Sequence, residues 1–162
     1  MEFVFWASFA LLFYIYFGYP LAVKALAMLK PNSIAANDDY LPKVSILIAA
    51  YNEAKDIEAT LRNKLALDYP PEKLEVLVIS DESEDGTDRI VDEVAAATGI
   101  QIRLFRQVPR QGKTAGLNTL VPKATGDILL FSDANSHWDT QAVRKLCRNF
   151  ADPQVGYVTG KM

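Results

Sequence analysis

Cysteine and histidine are nearly absent from this 162-residue chain, which has one of each, Cys147 and His137. A single cysteine excludes an internal disulfide, and together with one histidine it cannot supply the ligands of a structural zinc site. Such low use of cysteine is consistent with a reducing compartment. Cys147 is expected to be an inert core residue on the apolar face of its helix.

Clusters of positive charge are also missing. The chain has 17 basic and 20 acidic residues, and its formal net charge is −3. Proteins that bind nucleic acid neutralise phosphates with lysine and arginine, and no block rich in these residues occurs here. The composition therefore argues against a nucleic-acid partner.

A long apolar run stands close to the start of the chain. Residues 3–23 carry no charge, and as a helix they would extend roughly 30 Å, about the thickness of a bilayer core. A buried core helix is usually shorter, and a signal peptide has a basic start where this chain has Glu2. The run therefore predicts a transmembrane helix within residues 1–30, kinked or interrupted near Gly18 and Pro20.

Two lysines, Lys24 and Lys30, follow the apolar run. By the positive-inside rule, this side of the helix faces the cytoplasm and the N-terminus lies outside. Residues 31–43 are rich in proline, asparagine and aspartate, a composition typical of a linker. The chain is therefore expected to continue from residue 44 as a cytoplasmic domain.

Strand and helix patterns alternate through residues 44–162. The apolar run that starts at Val44 is almost without alternation, which is typical of a strand buried on both faces. Further strands are predicted at 74–80, 100–105 and 127–132, and a fifth begins at 155–159. This alternation predicts an α/β fold with a doubly wound, mainly parallel sheet.

The predicted helices begin at polar residues and end at helix breakers. Four are expected: 54–67, capped by Asn52; one capped by Asp85 or Thr87 and ended by Gly99; 113–120; and one capped by Asp139 or Thr140.

Acidic residues follow three of the predicted strands, at the point where each strand ends. They are Glu53, Asp81 and Asp133. Because the carboxyl ends of parallel strands meet at one edge of an open α/β sheet, where ligands bind, these side chains are expected to face one crevice. Helix capping is a competing explanation for Glu53, which would lie favourably at a positive helix end.

Residues 111–114 have a superficial likeness to a phosphate-binding loop. A P-loop needs a glycine five residues before Gly112, where Gln107 stands, and Pro109 lies inside the loop. A dinucleotide-binding fingerprint is also missing, because the first turn contains no glycine. Lys113 remains able to place a point charge on a diphosphate.

Four short motifs occur in a characteristic order. They are AYNE at 50–53, VISDESEDGT at 78–87, GKTAGLN at 112–118 and GDILLFSDAN at 126–135. Together they resemble family 2 glycosyltransferases of the GT-A fold, in particular membrane-anchored, polysaccharide-synthase-like members. The resemblance covers residues 40–162. It implies inverting transfer of a sugar from a UDP-sugar to an acceptor hydroxyl of a carbohydrate or lipid, in polysaccharide or glycolipid synthesis.

The resemblance also assigns residues that bind the donor. Asp81 is implied to contact the uracil base, Glu53 to lie in a turn against the nucleotide, and Lys113 to lie near the phosphates. Asp133 is implied to contact the ribose or the sugar. Tyr51 lies beside the base or fills the edge of the core, and the residues alone leave both possibilities open.

Residues 133–135 occupy the place of the family's Asp-x-Asp motif, whose second carboxylate binds a cation that bridges the diphosphate. Mg²⁺ and Mn²⁺ prefer oxygen ligands, but Asn135 supplies a neutral oxygen where the family has a carboxylate. The resemblance therefore implies Mg²⁺ or Mn²⁺ held by Asp133 and Asn135, or by Asp133 and the diphosphate alone. His137 is given no role, and Trp138 either borders the sugar pocket or packs in the core.

Inversion requires a general base that deprotonates the acceptor hydroxyl, and in the family that base belongs to a later motif. It is expected beyond Met162, so the catalytic base is unknown. Residues 44–162 are accordingly expected to be the nucleotide-sugar-binding part of a truncated domain in a longer protein. Two alternatives stay open: a non-catalytic fragment that binds nucleotide, and a membrane-tethered α/β interaction module whose acidic turns are only helix caps.

Overall fold

The computed structural model describes residues 2–29, 34–98 and 101–160. The chain divides into two compact units, Met1–Ile34 and Ala35–Met162. The first contains one long apolar helix, and the second contains every strand that the structure describes.

The helix of the first unit runs over Glu2–Leu29, and none of its described side chains is buried. It consists of α1 (Glu2–Phe13), a π-helical turn (Tyr14–Gly18) and α2 (Tyr19–Leu29). Among the described residues, this is the one helix long and apolar enough to cross a membrane, a criterion that an N-terminal signal sequence also meets.

The π-helical turn lies where the sequence predicts an interruption. The Tyr19 N–H donates to the Tyr14 carbonyl, five residues back, instead of four. Pro20 follows directly and has no N–H with which to continue the regular α-helical pattern. The helix therefore continues past Gly18 and Pro20 with a local change of winding and no break.

The second unit is built on a four-stranded parallel sheet in the order β3-β2-β1-β4. The strands are β1 (Val44–Ala50), β2 (Leu74–Ser80), β3 (Gln101–Arg106) and β4 (Ile128–Asp133). The predicted α/β class and parallel sheet are confirmed, and β2 has the predicted bounds. Every residue of β2 is buried, whereas β3 at the edge is partly exposed.

Helices cover both faces of this sheet. They are α3 (Ile57–Leu65), α4 (Thr87–Ala96), α5 (Lys113–Leu120) and α6 (Ala142–Cys147). The core with α3, α4 and α6 contains Ile46, Ile48, Val76, Val78, Ile57, Leu61, Val91, Val94, Val143 and Cys147. The core with α5 contains Leu47, Leu77, Ile79 and Leu120. Because helices cover both faces, the sheet is doubly wound. Its strands are buried on both faces and therefore need continuous runs of apolar residues.

Cys147 lies in the core, as predicted, and is fully buried. Burial raises the pKa of its thiol to about 11. A thiol is nucleophilic only as the thiolate, so this side chain packs as a small apolar group.

The start of α3 differs from the prediction. The helix begins at Ile57, after Asp56, and Asn52 does not cap it. Asn52 has a positive φ of 53°, which asparagine tolerates better than most residues. Its side-chain oxygen accepts the Glu84 N–H at 2.9 Å. Asn52 therefore does not cap α3 as predicted and instead binds the loop that follows β2.

The predicted starts of α4 and α6 are also wrong by a residue or more. The residue before α4 is Gly86, at a φ of 94°, and the Asp85 carboxylate accepts the Thr87 N–H at 3.0 Å from outside the helix. The residue before α6 is Gln141, whose N–H donates to the Asp139 carboxylate at 3.0 Å. In both cases the acidic residue forms a turn that precedes the helix. The end predicted at Gly99 lies outside the described residues.

The fifth strand predicted at 155–159 is wrong. Residues 155–160 have no regular secondary structure, the Val155 N–H donates to the Asp152 carbonyl in a turn at 3.0 Å, and Tyr157 is 81% exposed. A β-prone composition expresses only a preference, and a strand forms when a neighbouring strand supplies hydrogen bonds.

The segment before β1 is tied to the end of the second unit. The Ala35 N–H donates to the Asp152 carboxylate at 3.1 Å, the Asn37 N–H to the Arg148 carbonyl at 3.0 Å, and Arg148 pairs with Asp38 at 2.9 Å. This part of the predicted linker therefore belongs to the compact unit that starts at Ala35. Residues 31–33 lie outside the described part, and the domain boundaries stay a prediction.

Candidate functional site

An open pocket of about 390 Å³ lies where the strands end. All six residues predicted to bind the donor or a metal line it: Tyr51, Glu53, Asp81, Lys113, Asp133 and Asn135. The volume falls within the range of roughly 300 to 1,000 Å³ that is typical of small-molecule sites. The structure thus brings the predicted residues together, and their individual roles stay predictions.

The register of the sheet explains this convergence. Ala50 at the end of β1 lies opposite Ser80 at the end of β2, and Ala49 lies opposite Asp133 of β4. The three strands therefore end nearly flush, and the polar residues that follow them meet at one edge.

The loops after β1 and β2 are tied to each other by main-chain N–H groups and side-chain oxygens. The Asn52 N–H donates to the Ser83 hydroxyl at 3.1 Å, and the Glu53 N–H donates to the Thr87 hydroxyl at 2.9 Å. The Ala54 N–H donates to the Asp85 carboxylate, also at 2.9 Å. These bonds fix the turn that carries Glu53 at the edge of the pocket.

Asp85 has a structural role in this link. Its carboxylate accepts the hydroxyl and N–H of Thr87 besides the Ala54 N–H. The Thr87 hydroxyl bond and these backbone bonds hold the pKa of the Asp85 carboxyl below its usual value. Asp85 and Thr87 thus join two loops and do not line the pocket.

Asp81 is the most enclosed of the predicted side chains, at 4% exposure. One carboxylate oxygen accepts the Gln107 side-chain amide at 2.5 Å and the Gln111 N–H at 2.9 Å. The other accepts the Gly112 N–H at 2.9 Å. Burial alone would raise the pKa of the Asp81 carboxyl, but these bonds, with nearby Arg110, outweigh it and lower that pKa.

These contacts give Asp81 a role that the sequence did not predict. It anchors the loop between β3 and α5, because three donors of that loop converge on its carboxylate. A carboxylate accepts about four hydrogen bonds, so roughly one position is left for a ligand. The loop then turns at Gly112, whose φ of 89° favours glycine, and α5 starts at Lys113.

Arg110 is a pocket residue that the sequence analysis missed. Its guanidinium lies over the Tyr51 ring, 3.6 Å from the ring centroid, and its Nε is 3.6 Å from an Asp81 carboxylate oxygen. The main-chain N–H of Arg110 donates to the Glu82 carboxylate at 2.8 Å. The only signal in the sequence is its position three residues before Lys113, in a loop that follows a strand.

Lys113 and Asp133 form an ion pair across the pocket. Their side chains are 58% and 60% exposed, in contrast to Asp81. An ion pair this exposed contributes about 0 to 1 kcal/mol, so either partner can exchange the other for a charged ligand at little cost.

The oxygen ligands predicted for a cation, on Asp133 and Asn135, are both exposed at the pocket. Within the described ranges, no group of three or more histidine, cysteine, aspartate or glutamate residues is arranged to hold a metal. An oxygen-only pair of this kind fits Mg²⁺ or Mn²⁺, which take most remaining ligands from phosphate and water. The residues therefore fit a cation that arrives with a diphosphate.

The two residues that follow this motif differ in their surroundings. His137 is exposed, and Trp138 is partly buried against the core with α3, α4 and α6. Of the two possibilities for Trp138, the structure therefore supports core packing, since its side chain does not line the pocket.

Comparison with known proteins identifies the family. Residues 45–162 match Glycosyl transferase family 2. The chain belongs to that family. The four motifs, the edge where the acidic residues meet and the parallel sheet, apart from its first residue Val44, lie within the matched residues.

Two named relatives illustrate the range of family members. The chain is 35% identical over 124 residues to the probable glycosyltransferase YdaM of Bacillus subtilis, covering 75% of this chain and 30% of that protein. It is 33% identical over 147 residues to a poly-beta-1,6-N-acetyl-D-glucosamine synthase of Staphylococcus aureus, covering 90% of this chain and 34% of the synthase. The chain thus spans about a third of the length of these curated relatives.

Two solved structures share the fold. The mannosyltransferase PcManGT of Pyrobaculum calidifontis, in complex with GDP-Man and Mn²⁺, superposes with a TM-score of 0.79 at 35% identity, covering 91% of this chain and 44% of that one. Residues 1–349 of S. aureus TarS, in complex with UDP-GlcNAc, superpose with a TM-score of 0.60 at 24% identity, covering 64% and 29%. The second likeness concerns the fold alone.

Proposed function

We propose that the protein is a membrane-anchored glycosyltransferase that binds a UDP-sugar in this pocket and transfers the sugar, with inversion, to an acceptor hydroxyl of a carbohydrate or lipid. The observation that carries the proposal is that all six predicted donor and metal residues line one pocket of a family 2 chain. The polymer-synthase relative supports a role in polysaccharide or glycolipid synthesis.

The nucleotide base is proposed to lie beside Tyr51 and Asp81, where the Arg110 guanidinium, which now lies close to both side chains, would move aside. Tyr51 offers a ring that is partly exposed and already carries the Arg110 guanidinium on its face. Arg110 and the aromatic ring provide surfaces on which a base can stack. The last free acceptor position of Asp81 is proposed to take the ring N–H of uracil.

The diphosphate is proposed to lie between Lys113 and Asp133, where the charges are exposed. Lys113 would leave its ion pair and place its ammonium on the phosphates. Asp133 and Asn135 would hold Mg²⁺ or Mn²⁺, which, when bound, supplies positive charge that stabilises the departing diphosphate. The Mn²⁺ in the mannosyltransferase complex supports the proposal of a divalent cation.

The reaction is a displacement at the anomeric carbon. The acceptor oxygen forms a bond to that carbon while the bond from carbon to the diphosphate oxygen breaks, and its electron pair leaves with UDP. The acceptor proton passes to a general base, which we expect in a later motif of the family domain. The described pocket contributes position and charge to this step.

The helix Glu2–Leu29 is proposed to span a membrane. Its exposed apolar side chains would meet lipid, and Lys24 and Lys30 would face the cytoplasm with the catalytic part. The acceptor would then be elongated or modified at the inner face of the membrane.

Calorimetric titration of the chain with UDP, with and without Mn²⁺, tests the donor site. We expect UDP to bind, and Mn²⁺ to tighten the binding. No binding by the wild-type chain would favour the interaction module. If UDP binds and Mn²⁺ changes nothing, the metal assignment is wrong.

A parallel titration with GDP tests the base, because the 35%-identical mannosyltransferase structure contains GDP-Man. We expect UDP to bind more tightly. GDP binding tenfold more tightly than UDP would contradict the proposed donor and leave the family unchanged.

A further inference from the structure

Lys64 of α3 is a buried charge that the proposed function does not use. Its side chain is fully buried, at 0% exposure, and burial lowers the pKa of its ammonium to about 8. Among the described residues, no carboxylate lies within ion-pair distance of it. A buried charge without a counter-ion is costly and persists where hydrogen bonds compensate for it.

Three groups surround the Lys64 ammonium. It donates to the Ser136 carbonyl at 2.8 Å and to the Asn63 side-chain oxygen at 3.2 Å, and it lies 4.2 Å from the centroid of the Trp138 ring. An ammonium has three protons, and it is attracted to the face of an aromatic ring within about 6 Å. Each proton therefore has a partner, and two of the partners belong to the loop after β4.

Asn63 binds the same loop with both ends of its amide. Its oxygen accepts the Trp138 N–H at 2.8 Å, and its NH₂ group donates to the Trp138 carbonyl at 3.0 Å. The main chain of Trp138 is thereby paired with a side chain of α3 as it would be paired with a strand. Lys64 and Asn63 together fix the loop at Ser136 and Trp138.

The fixed segment follows the predicted cation ligands directly. Ser136 is adjacent to Asn135, and its hydroxyl lies 2.8 Å from that of Ser132 at the end of β4. Asp133 and Asn135 are thus held between a strand on one side and the α3 contacts on the other. A change of about 1 Å in the position of a ligand is enough to weaken a site.

We propose that Lys64 and Asn63 are positioning residues that hold the loop after β4 so that Asp133 and Asn135 present their oxygens to a divalent cation on the donor diphosphate. Neither residue lines the pocket. The role rests on the proposed function, because it concerns how that pocket binds a cation.

The test compares Lys64→Met and Asn63→Ala with Lys73→Met in the full 162-residue chain. Lys73 also donates to a main-chain carbonyl, of Leu41 at 2.8 Å, but it precedes β2 at the opposite end of the sheet. The measured quantity is the factor by which Mn²⁺ tightens UDP binding. We expect both α3 variants to lower this factor about tenfold, the size of effect seen for residues that orient metal ligands. Lys73→Met is expected to leave it within twofold.

A second background separates positioning from general loss of stability. Lys64 and Asn63 act only through the two ligands, so adding either substitution to a variant that carries both Asp133→Ala and Asn135→Ala should cause no further loss of affinity. A further tenfold loss, or an unchanged Mn²⁺ factor in folded single variants, would overturn the proposal. Asn63→Ala keeps the test decisive if Lys64→Met does not fold.

Hydrogen exchange gives a measurement that does not need nucleotide. The Trp138 amide donates to Asn63, so its exchange should be at least tenfold faster in Lys64→Met and Asn63→Ala and unchanged in Lys73→Met. If the wild-type chain binds no UDP, the proposed function fails, and the exchange rates still decide whether these residues hold the loop. Unchanged exchange at Trp138 in both α3 variants would contradict the positioning role.

Discussion

Asp81 and Asp133 lie at the same edge of the sheet, at the ends of two parallel strands, yet their surroundings are opposite. Asp81 is 4% exposed and accepts three hydrogen bonds from the loop between β3 and α5. Asp133 has a 60% exposed side chain and one ion pair, with Lys113. The Asp81 carboxylate is therefore mostly occupied by hydrogen bonds within the protein, whereas the Asp133 carboxylate is accessible to a ligand.

This difference indicates a division of labour within one pocket. A carboxylate that is held by main-chain N–H groups keeps its position before a ligand arrives, which lowers the cost of binding. An exposed carboxylate paired with a lysine can change partners at little cost. This contrast supports the proposal that the base binds near Asp81 and that the diphosphate and its cation bind near Asp133.

The largest expected effect comes from Asp133→Ala. If Asp133 is a cation ligand as proposed, its loss should weaken UDP binding in the presence of Mn²⁺ about 100-fold. The free energy of unfolding should stay within about 0.5 kcal/mol of wild type, because the side chain is exposed. Calorimetry and denaturant titration measure the two quantities.

Asp139→Ala is the matched control, since Asp139 is also exposed and paired with a lysine, Lys145, at 3.6 Å, and it does not line the pocket. Equal losses of UDP affinity in the two variants would remove the distinction drawn for Asp133.

Asp81→Asn should show the opposite balance. The amide keeps the size of the carboxylate but turns an NH₂ group toward N–H donors of Gln111 or Gly112, leaving at least one of them without an acceptor. The free energy of unfolding should fall by about 1.5 to 3 kcal/mol, the range for hydrogen bonds to a charged group. UDP affinity should fall about tenfold both with and without Mn²⁺, measured by the same calorimetric titrations. An unchanged unfolding free energy would contradict the anchoring role.

The sequence predicted the edge of the sheet well because the relevant signals are local. An apolar run without alternation identifies a buried parallel strand, and β2 has the predicted bounds. Once the strands are parallel, the residues that follow them must meet at one edge, so the convergence of Glu53, Asp81 and Asp133 follows from topology.

The sequence predicted contacts between loops poorly because these depend on residues distant along the chain. Asparagine is a residue type that often caps helices. The Asn52 side-chain oxygen instead accepts the Glu84 N–H, a bond that can form only once β1 and β2 lie side by side. The stacking of Arg110 on Tyr51 depends likewise on the path of a loop that Asp81 holds.

The burial of Lys64 could not be predicted from a local sequence pattern. A lysine in a predicted amphipathic helix is ordinarily assigned to the solvent face, and its burial here depends on Ser136 and Trp138, more than 70 residues later. The compensating contacts come from the loop after β4, and no local rule reports them.

The contribution of Asp81 to stability should depend on pH. The pKa of the Asp81 carboxyl is lowered in the folded chain, so the unfolded chain takes up the proton first as the pH falls. The contribution of Asp81 to stability is therefore present above about pH 4, the unfolded pKa of aspartate, and is lost as the pH falls through the folded pKa. The difference in unfolding free energy between wild type and Asp81→Asn should shrink below that pH, by denaturant titration. A constant difference down to pH 2 would contradict the lowered pKa.

The smallest effect is expected for Lys113→Met. Both members of the Lys113–Asp133 pair are exposed, so the unfolding free energy should change by less than about 0.5 kcal/mol. UDP affinity without Mn²⁺ should fall about threefold at low ionic strength, because one positive charge near the proposed position of the diphosphate is lost, and the difference should nearly vanish at about 1 M salt. Lys113→Arg keeps the charge and should bind UDP within twofold of wild type. If the loss of UDP affinity in Lys113→Met persists at high salt, Lys113 has a structural role, as Asp81 does. The contrast between the two sides of the pocket would then depend on Asp133 alone.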